Sequence, residues 1–163
     1  MPNSQPVRPR VLATYGMPQA VVEQFRQFAD LTVLDGVSDQ EQVLARCAGH
    51  DVLICTLMNR ITTDFVARLP ASIRLVATYS VGFDHVDVAA LKARGIALIN
   101  TPDVLTQATA DVTWLLLLGA ARRGWEAQTM LRERRWHGWE PTQLLGADVH
   151  RKTLGILGFG RIG

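Results

Sequence analysis

The first hundred residues alternate between runs that read as strands and runs that read as helices, joined by short connections. That order leaves few compact solutions. Arg10–Thr14 is a β-rich run ending at Tyr15-Gly16. Pro18–Ala29 has Pro18 placed for a helix start and Val21, Val22, Phe25 and Phe28 at helical spacing. Leu31–Leu34 reads as a strand and Asp39–Ala48 as a helix stopped by Gly49. Asp51–Leu57 is a continuous apolar strand, and Thr63–Leu69 is a short helix with Thr62 or Thr63 as cap. Leu75–Tyr79 is a strand, Asp87–Arg94 a helix capped by Asp87 and closed by Gly95, and Ile96–Asn100 the fifth strand. Strands apolar on both faces and separated by helices predict a parallel sheet covered by helices. Right-handed crossovers make it an α/β, flavodoxin-like, doubly wound sheet over residues 1–102.

Thr101-Pro102-Asp103 breaks the alternation. Thr106–Arg123 then reads as a long helix, ended or kinked by Gly124, and Trp125–Arg135 as helical. Trp136–Val149 is a loop, and Lys152–Leu157 a last strand. Residues 103–163 thus read as a linker helix, an arm and the truncated start of a Rossmann dinucleotide-binding domain.

Charge excludes some partners. With 17 basic and 15 acidic residues the net charge is +2, which gives no reason to invoke nucleic acid. The longest apolar run, Val112–Ala121, is too short for a bilayer, which takes roughly 20 residues, so no membrane partner is expected. The polar first ten residues lack the apolar core of a secretory signal. Cys47 and Cys55 belong to no CxxC or Cys/His cluster and read as buried thiols of a cytoplasmic protein. No histidine pair has metal-ligand spacing.

Three segments can carry chemistry. Gly158-Phe159-Gly160-Arg161-Ile162-Gly163 is G-x-G-x-x-G after an apolar run. Its glycines suit a tight turn, close backbone approach to a pyrophosphate, and close helix–strand packing. An ordinary glycine-rich turn is the alternative. Tyr79–Asp87 lies at the carboxyl end of the fourth strand, where open α/β sheets hold ligands. There Gly82 lets the chain turn and present consecutive amides to a carboxylate. A connection in which Asp84 and Asp87 only cap is the alternative. Asn100–Asp111 opens the long helix, with Thr106 and Thr109 as caps. His85 has no carboxylate partner at a local spacing and reads as a surface histidine.

Together these segments resemble the D-isomer-specific 2-hydroxyacid dehydrogenases, above all over residues 80–123 and 152–163. Among the subgroups the likeness is greatest to glyoxylate/hydroxypyruvate reductases. The resemblance implies that amides of Ser80, Val81 and Gly82 hold the substrate carboxylate, with Leu57 bordering the same pocket. It implies that Thr109 contacts NAD or NADP near the nicotinamide. It implies that Gly158, Phe159, Gly160, Arg161, Ile162 and Gly163 hold the pyrophosphate. A small 2-oxo or 2-hydroxy acid is the implied substrate. A homodimer is implied through residues 106–145, where Trp136 and Trp139 pack on the partner or else in the chain's own core. The family's catalytic arginine, acidic residue and histidine are expected downstream of Gly163, so no residue here is named catalytic. On this reading the chain is an N-terminal fragment, inactive alone, whose residues 124–163 are loosely held. An NAD(H)-sensing co-repressor-like module and an inert truncated pseudoenzyme are the alternatives.

Overall fold

The computed structural model describes residues 7–34 and 39–163. The chain divides between Val104 and Leu105 into two compact units.

The first unit runs β1 (Arg10–Ala13), α1 (Gln19–Phe28), β2 (Asp30–Val33), α2 (Gln40–Cys47), β3 (Val52–Cys55), α3 (Thr63–Arg68), β4 (Leu75–Thr78), α4 (Val88–Ala93) and β5 (Ala97–Ile99). The sheet order is β2-β1-β3-β4-β5. Every neighbouring pair is parallel. This is the flavodoxin-like, doubly wound order, with its switch point between β1 and β3. Helix starts follow local chemistry. Asp39, Thr62 and Asp87 each accept a backbone N–H three residues on, which satisfies donors the helix itself leaves free.

The two sheet faces are unequal. On one face Leu12, Leu53, Cys55 and Val76 pack with Val43, Cys47, Phe65, Val66 and Leu91 from α2, α3 and α4 in one buried cluster. Among the described residues of this unit, only the β1–β2 crossover, α1, serves the other face. One helix cannot cover five strands. Ile54, Ala77 and Ile99 therefore line an open trough of about 290 Å³ with Val21 and Phe25 of α1.

β3 also ends at Cys55, two residues short of the predicted Leu57. Asn59 is the reason. It is buried, and its Oδ1 accepts the Thr56 N–H at 3.1 Å and the Thr14 hydroxyl at 2.7 Å. These bonds fold residues 56–59 into a turn tied to the end of β1.

In the second unit α5 (Thr106–Ala121) and α6 (Gly124–Arg132) follow one another. The break falls at Arg123, left-handed at φ 55°, and Gly124 is the first residue of α6 rather than the breaker. The Arg123 guanidinium holds Glu126 in the first turn of α6 at 2.7 Å. No side chain caps α5, so Thr106 and Thr109 lack the predicted capping role. Residues 152–157 are not a strand. A strand needs a neighbour to take its backbone hydrogen bonds, and among the described residues of this unit there is none. Leu154, Ile156 and Leu157 are exposed as a result. No described helix is long and apolar enough to cross a membrane.

Candidate functional site

Parallel strands bring their carboxyl ends to one edge, so β3 and β4, which are neighbours, deliver the Leu57 turn and the Ser80–Gly82 loop side by side. A parallel bridge between Ile61 and Val86 links the segments that follow them, through Ile61 N–H to His85 O (2.9 Å) and Asp87 N–H to Ile61 O (2.8 Å). Leu57 is 61% exposed. It lines a depression shared with Arg60, Asp84 and His85, whereas Ser80, Val81 and Gly82 do not line it.

The loop after β4 is organised by its carbonyls. Ser80 O accepts the Thr101 N–H at 3.0 Å. Val81 O accepts the Asn100 side-chain amide at 2.8 Å. Gly82 O accepts the Ser80 hydroxyl at 2.6 Å. In a trans peptide the next N–H points opposite to the carbonyl. Each of these bonds therefore turns an amide away from its own donor. Among the described residues the N–H groups of Val81, Gly82 and Phe83 donate to nothing in the protein. Gly82 does not need its conformational freedom here, contrary to the expectation that it makes the turn. A Cβ would meet only an Asp84 carboxylate oxygen, at 3.7 Å, an ordinary contact. Apart from that oxygen, the space a side chain would take at residue 82 holds no protein atom within 4 Å.

His85 is half-buried rather than a surface residue. Its Nε2 lies 2.9 Å from the Thr78 hydroxyl, and its Nδ1 is buried without a partner. Burial holds its pKa below the ordinary value of 6.5, against an opposing pull from Asp84. The unfolded chain therefore takes this proton first. The contribution of His85 to stability is complete above pH 6.5 and is lost as pH falls through that value. Urea midpoints of the first unit at about pH 7.5 and 5.5 are expected to differ less in His85→Gln than in the parent chain. An unchanged difference would refute this.

The two cysteines are free and buried, and burial pushes both thiols up to about 11. Neither is a nucleophile at neutral pH. Among the described residues no cluster of three or more metal-ligating side chains occurs.

In the second unit Gly158 adopts φ +88°, which makes the tight turn. A Cβ at Gly160 would meet nothing within 4 Å, so the backbone there is open to close approach. A Cβ at Gly163 would lie 2.5 Å from Gly158 O, so the turn folds back on itself only with glycine at that position. Gly158, Ile162 and Gly163 line an apolar groove with Ala110, Thr113 and Trp114 of α5. Phe159, Gly160, Arg161 and Thr109 do not line it. The Thr109 hydroxyl is spent on Leu105 O of its own helix, at 2.8 Å. Trp136 and Trp139 are 52% and 80% exposed, so the alternative that they pack in this chain's own core is set aside.

Thr78, Asn100 and Thr101 were not singled out as loop supports. Asn100 and Thr101 carry a usable signal. Ala77 pairs with Ile99, and continuing that register sets residues 79–81 beside 101–103.

An open, doubly wound α/β sheet followed by a unit with a glycine-rich turn is the architecture of the α/β proteins that bind at the carboxyl ends of their strands. The family model for the catalytic domain of D-isomer specific 2-hydroxyacid dehydrogenases matches residues 11–149, and the chain belongs to that family. It is 40% identical to a glycerate dehydrogenase from Hyphomicrobium methylovorum over 94% of this chain and 48% of that protein. It is also 40% identical to a glyoxylate reductase from Thermococcus gammatolerans, over 96% of this chain and 48% of that protein. A solved NADPH-dependent glyoxylate/hydroxypyruvate reductase from Sinorhizobium meliloti, in complex with NADP and malonate, superposes with a TM-score of 0.78. Its identity is 31%, over 96% of this chain and 48% of that one. The chain spans about half the length of the relatives it matches.

Proposed function

We propose that this chain supplies the acid-holding half of an NAD(P)-dependent oxidoreductase that acts on a small 2-oxo or 2-hydroxy acid such as glyoxylate or hydroxypyruvate. The observation that carries the reading is the loop after β4, whose carbonyls are all turned to the protein while the amides of Val81, Gly82 and Phe83 are left for an anion. A charge-assisted hydrogen bond from each amide is worth about 1.5–3 kcal/mol. Leu57, exposed on the adjacent turn, suits the short carbon skeleton of such an acid. The relatives named for glyoxylate and glycerate support this substrate class.

The terminal glycine turn fits a dinucleotide pyrophosphate on its own geometry. Gly158 bends the chain, Gly160 leaves its backbone clear, and Gly163 closes the turn. Amides of Phe159, Arg161 and Ile162 are the further groups assigned to the phosphates. Thr109 is assigned to the nicotinamide end through its chain position, its hydroxyl being turned inward. When bound, the nicotinamide supplies or accepts the hydride. The proton donor is assigned to residues the family carries beyond the glycine motif. The 163-residue polypeptide alone is accordingly expected to reduce neither glyoxylate nor hydroxypyruvate. Residues 106–145, with Trp136 and Trp139 exposed, are assigned to contact with a second copy.

The test uses oxalate, which has the shape of glyoxylate and does not react. In a titration of the ¹⁵N-labelled chain, the amide signals of Val81, Gly82 and Phe83 are expected to shift together and saturably. Shifts confined to arginine and lysine side chains would overturn the proposal.

A further inference from the structure

We propose that His85 is a positioning residue for the acid-holding loop, donating from Nε2 into a one-way hydrogen-bond relay that runs through Thr78 and Ser80 to the Gly82 carbonyl. This rests on the reading that the loop amides hold a carboxylate.

The direction follows from proton count. Gly82 O is a carbonyl and only accepts, so the 2.6 Å contact consumes the single Ser80 hydroxyl proton. Thr78 Oγ1 lies 2.7 Å from Ser80 Oγ. With the Ser80 proton already used, Thr78 must be the donor there. Thr78 then has no proton left for His85 Nε2 at 2.9 Å, nor for the buried Cys55 thiol that also bonds it and carries a proton of its own. The proton between Thr78 and His85 must sit on the imidazole. A neutral ring carries one proton, so Nδ1 is bare. Nδ1 is the atom found buried without a partner. A bare acceptor is the tolerable occupant of such a place, because orphaned buried donors are the rarer case.

Thr78 and Ser80 are 2% and 8% exposed, so water does not compete for the relay. Its end point is the peptide between Gly82 and Phe83. Holding Gly82 O inward keeps the Phe83 N–H outward. Without the imidazole proton, Thr78 keeps only the weak Cys55 thiol as a donor, so its hold on Ser80, and through Ser80 on the peptide, loosens. Histidine is required here as a donor of defined tautomer, not as an acid or base.

Two measurements test this. Two-bond ¹H–¹⁵N correlation of the parent chain at neutral pH should show His85 as the Nε2–H tautomer. An Nδ1–H tautomer, or an averaged mixture, would overturn the relay without any variant being made. Oxalate affinity is then read from the amides of Val81, Gly82 and Phe83. Thr78→Val removes two bonds of the relay and His85→Ala one, and each should weaken oxalate by at least about fivefold. His85→Gln restores an N–H near the lost Nε2 and should recover most of that loss. If both disruptive variants bind as the parent does, the relay is wrong and the loop reading survives. If the parent shows no oxalate response at these amides, the loop reading fails and takes the relay with it.

Discussion

Gly82→Val leaves the unfolding midpoint of the first unit close to that of the parent and weakens oxalate binding by at least about tenfold, the loss of even one charge-assisted hydrogen bond being enough for that. The two halves of this result have separate causes. A Cβ at residue 82 meets no backbone, only an Asp84 carboxylate oxygen at 3.7 Å, and φ there is not in the left-handed region. The fold therefore has no objection to a side chain. On the proposed reading, the branched methyl groups of valine sit beside the amide of their own residue and those of its neighbours, and crowd the approach of a carboxylate to them. A stability loss matching the binding loss would mean the glycine serves the fold, and the ligand argument would lapse. Unchanged binding would remove the loop from the site altogether.

Phe65→Ala is the largest expected effect on stability. Phe65 is 2% exposed and packs in the cluster that holds Leu12, Leu53 and Val76 of the sheet. Truncating a buried phenylalanine costs about 3–5 kcal/mol, a large share of the 5–15 kcal/mol typical of a domain. The bidentate Arg68–Glu41 pair also ties α3 to α2, at 2.6 and 2.5 Å, but it stands in solvent and contributes little by comparison. Both tyrosines, Tyr15 and Tyr79, lie in the first unit, and all four tryptophans, Trp114, Trp125, Trp136 and Trp139, lie in the second. Tyrosine-monitored urea unfolding therefore reports the unit in question. A midpoint unmoved by Phe65→Ala would show that the cluster does not hold the sheet together.

Much of the first unit was legible before any coordinates. Local signals were enough for the five strands, for the caps at Asp39, Thr62 and Asp87, and for placing Ser80–Gly82 at the carboxyl edge of β4. The errors arise where a residue's role depends on something distant or missing. Residues 152–157 have strand composition, but composition supplies no neighbour to pair with. Thr109 has a capping side chain, yet in a helix its hydroxyl reaches the carbonyl four residues back as easily. Asn59 ends β3 early by a bond to Thr14, a partner 45 positions away. The donors that organise the acid loop, Asn100 and Thr101, come from β5's end, and only sheet register reveals them. His85 looked idle because its partner is another strand's hydroxyl rather than a carboxylate.

On the proposed reading, the loop after β4 meets an anion with main-chain atoms alone. Such donors are common to nineteen of the twenty amino acids, and proline alone lacks one. Drift at Val81 and Phe83 is therefore invisible to the charged end of a ligand, short of that single replacement. Selectivity among acids is free to change through Leu57, whose side chain is exposed and structurally cheap to exchange. If the proposed site holds, a lineage with this architecture diversifies its substrates by altering one adjacent turn while the feature they share, the acid group, goes on being met by the same inherited backbone.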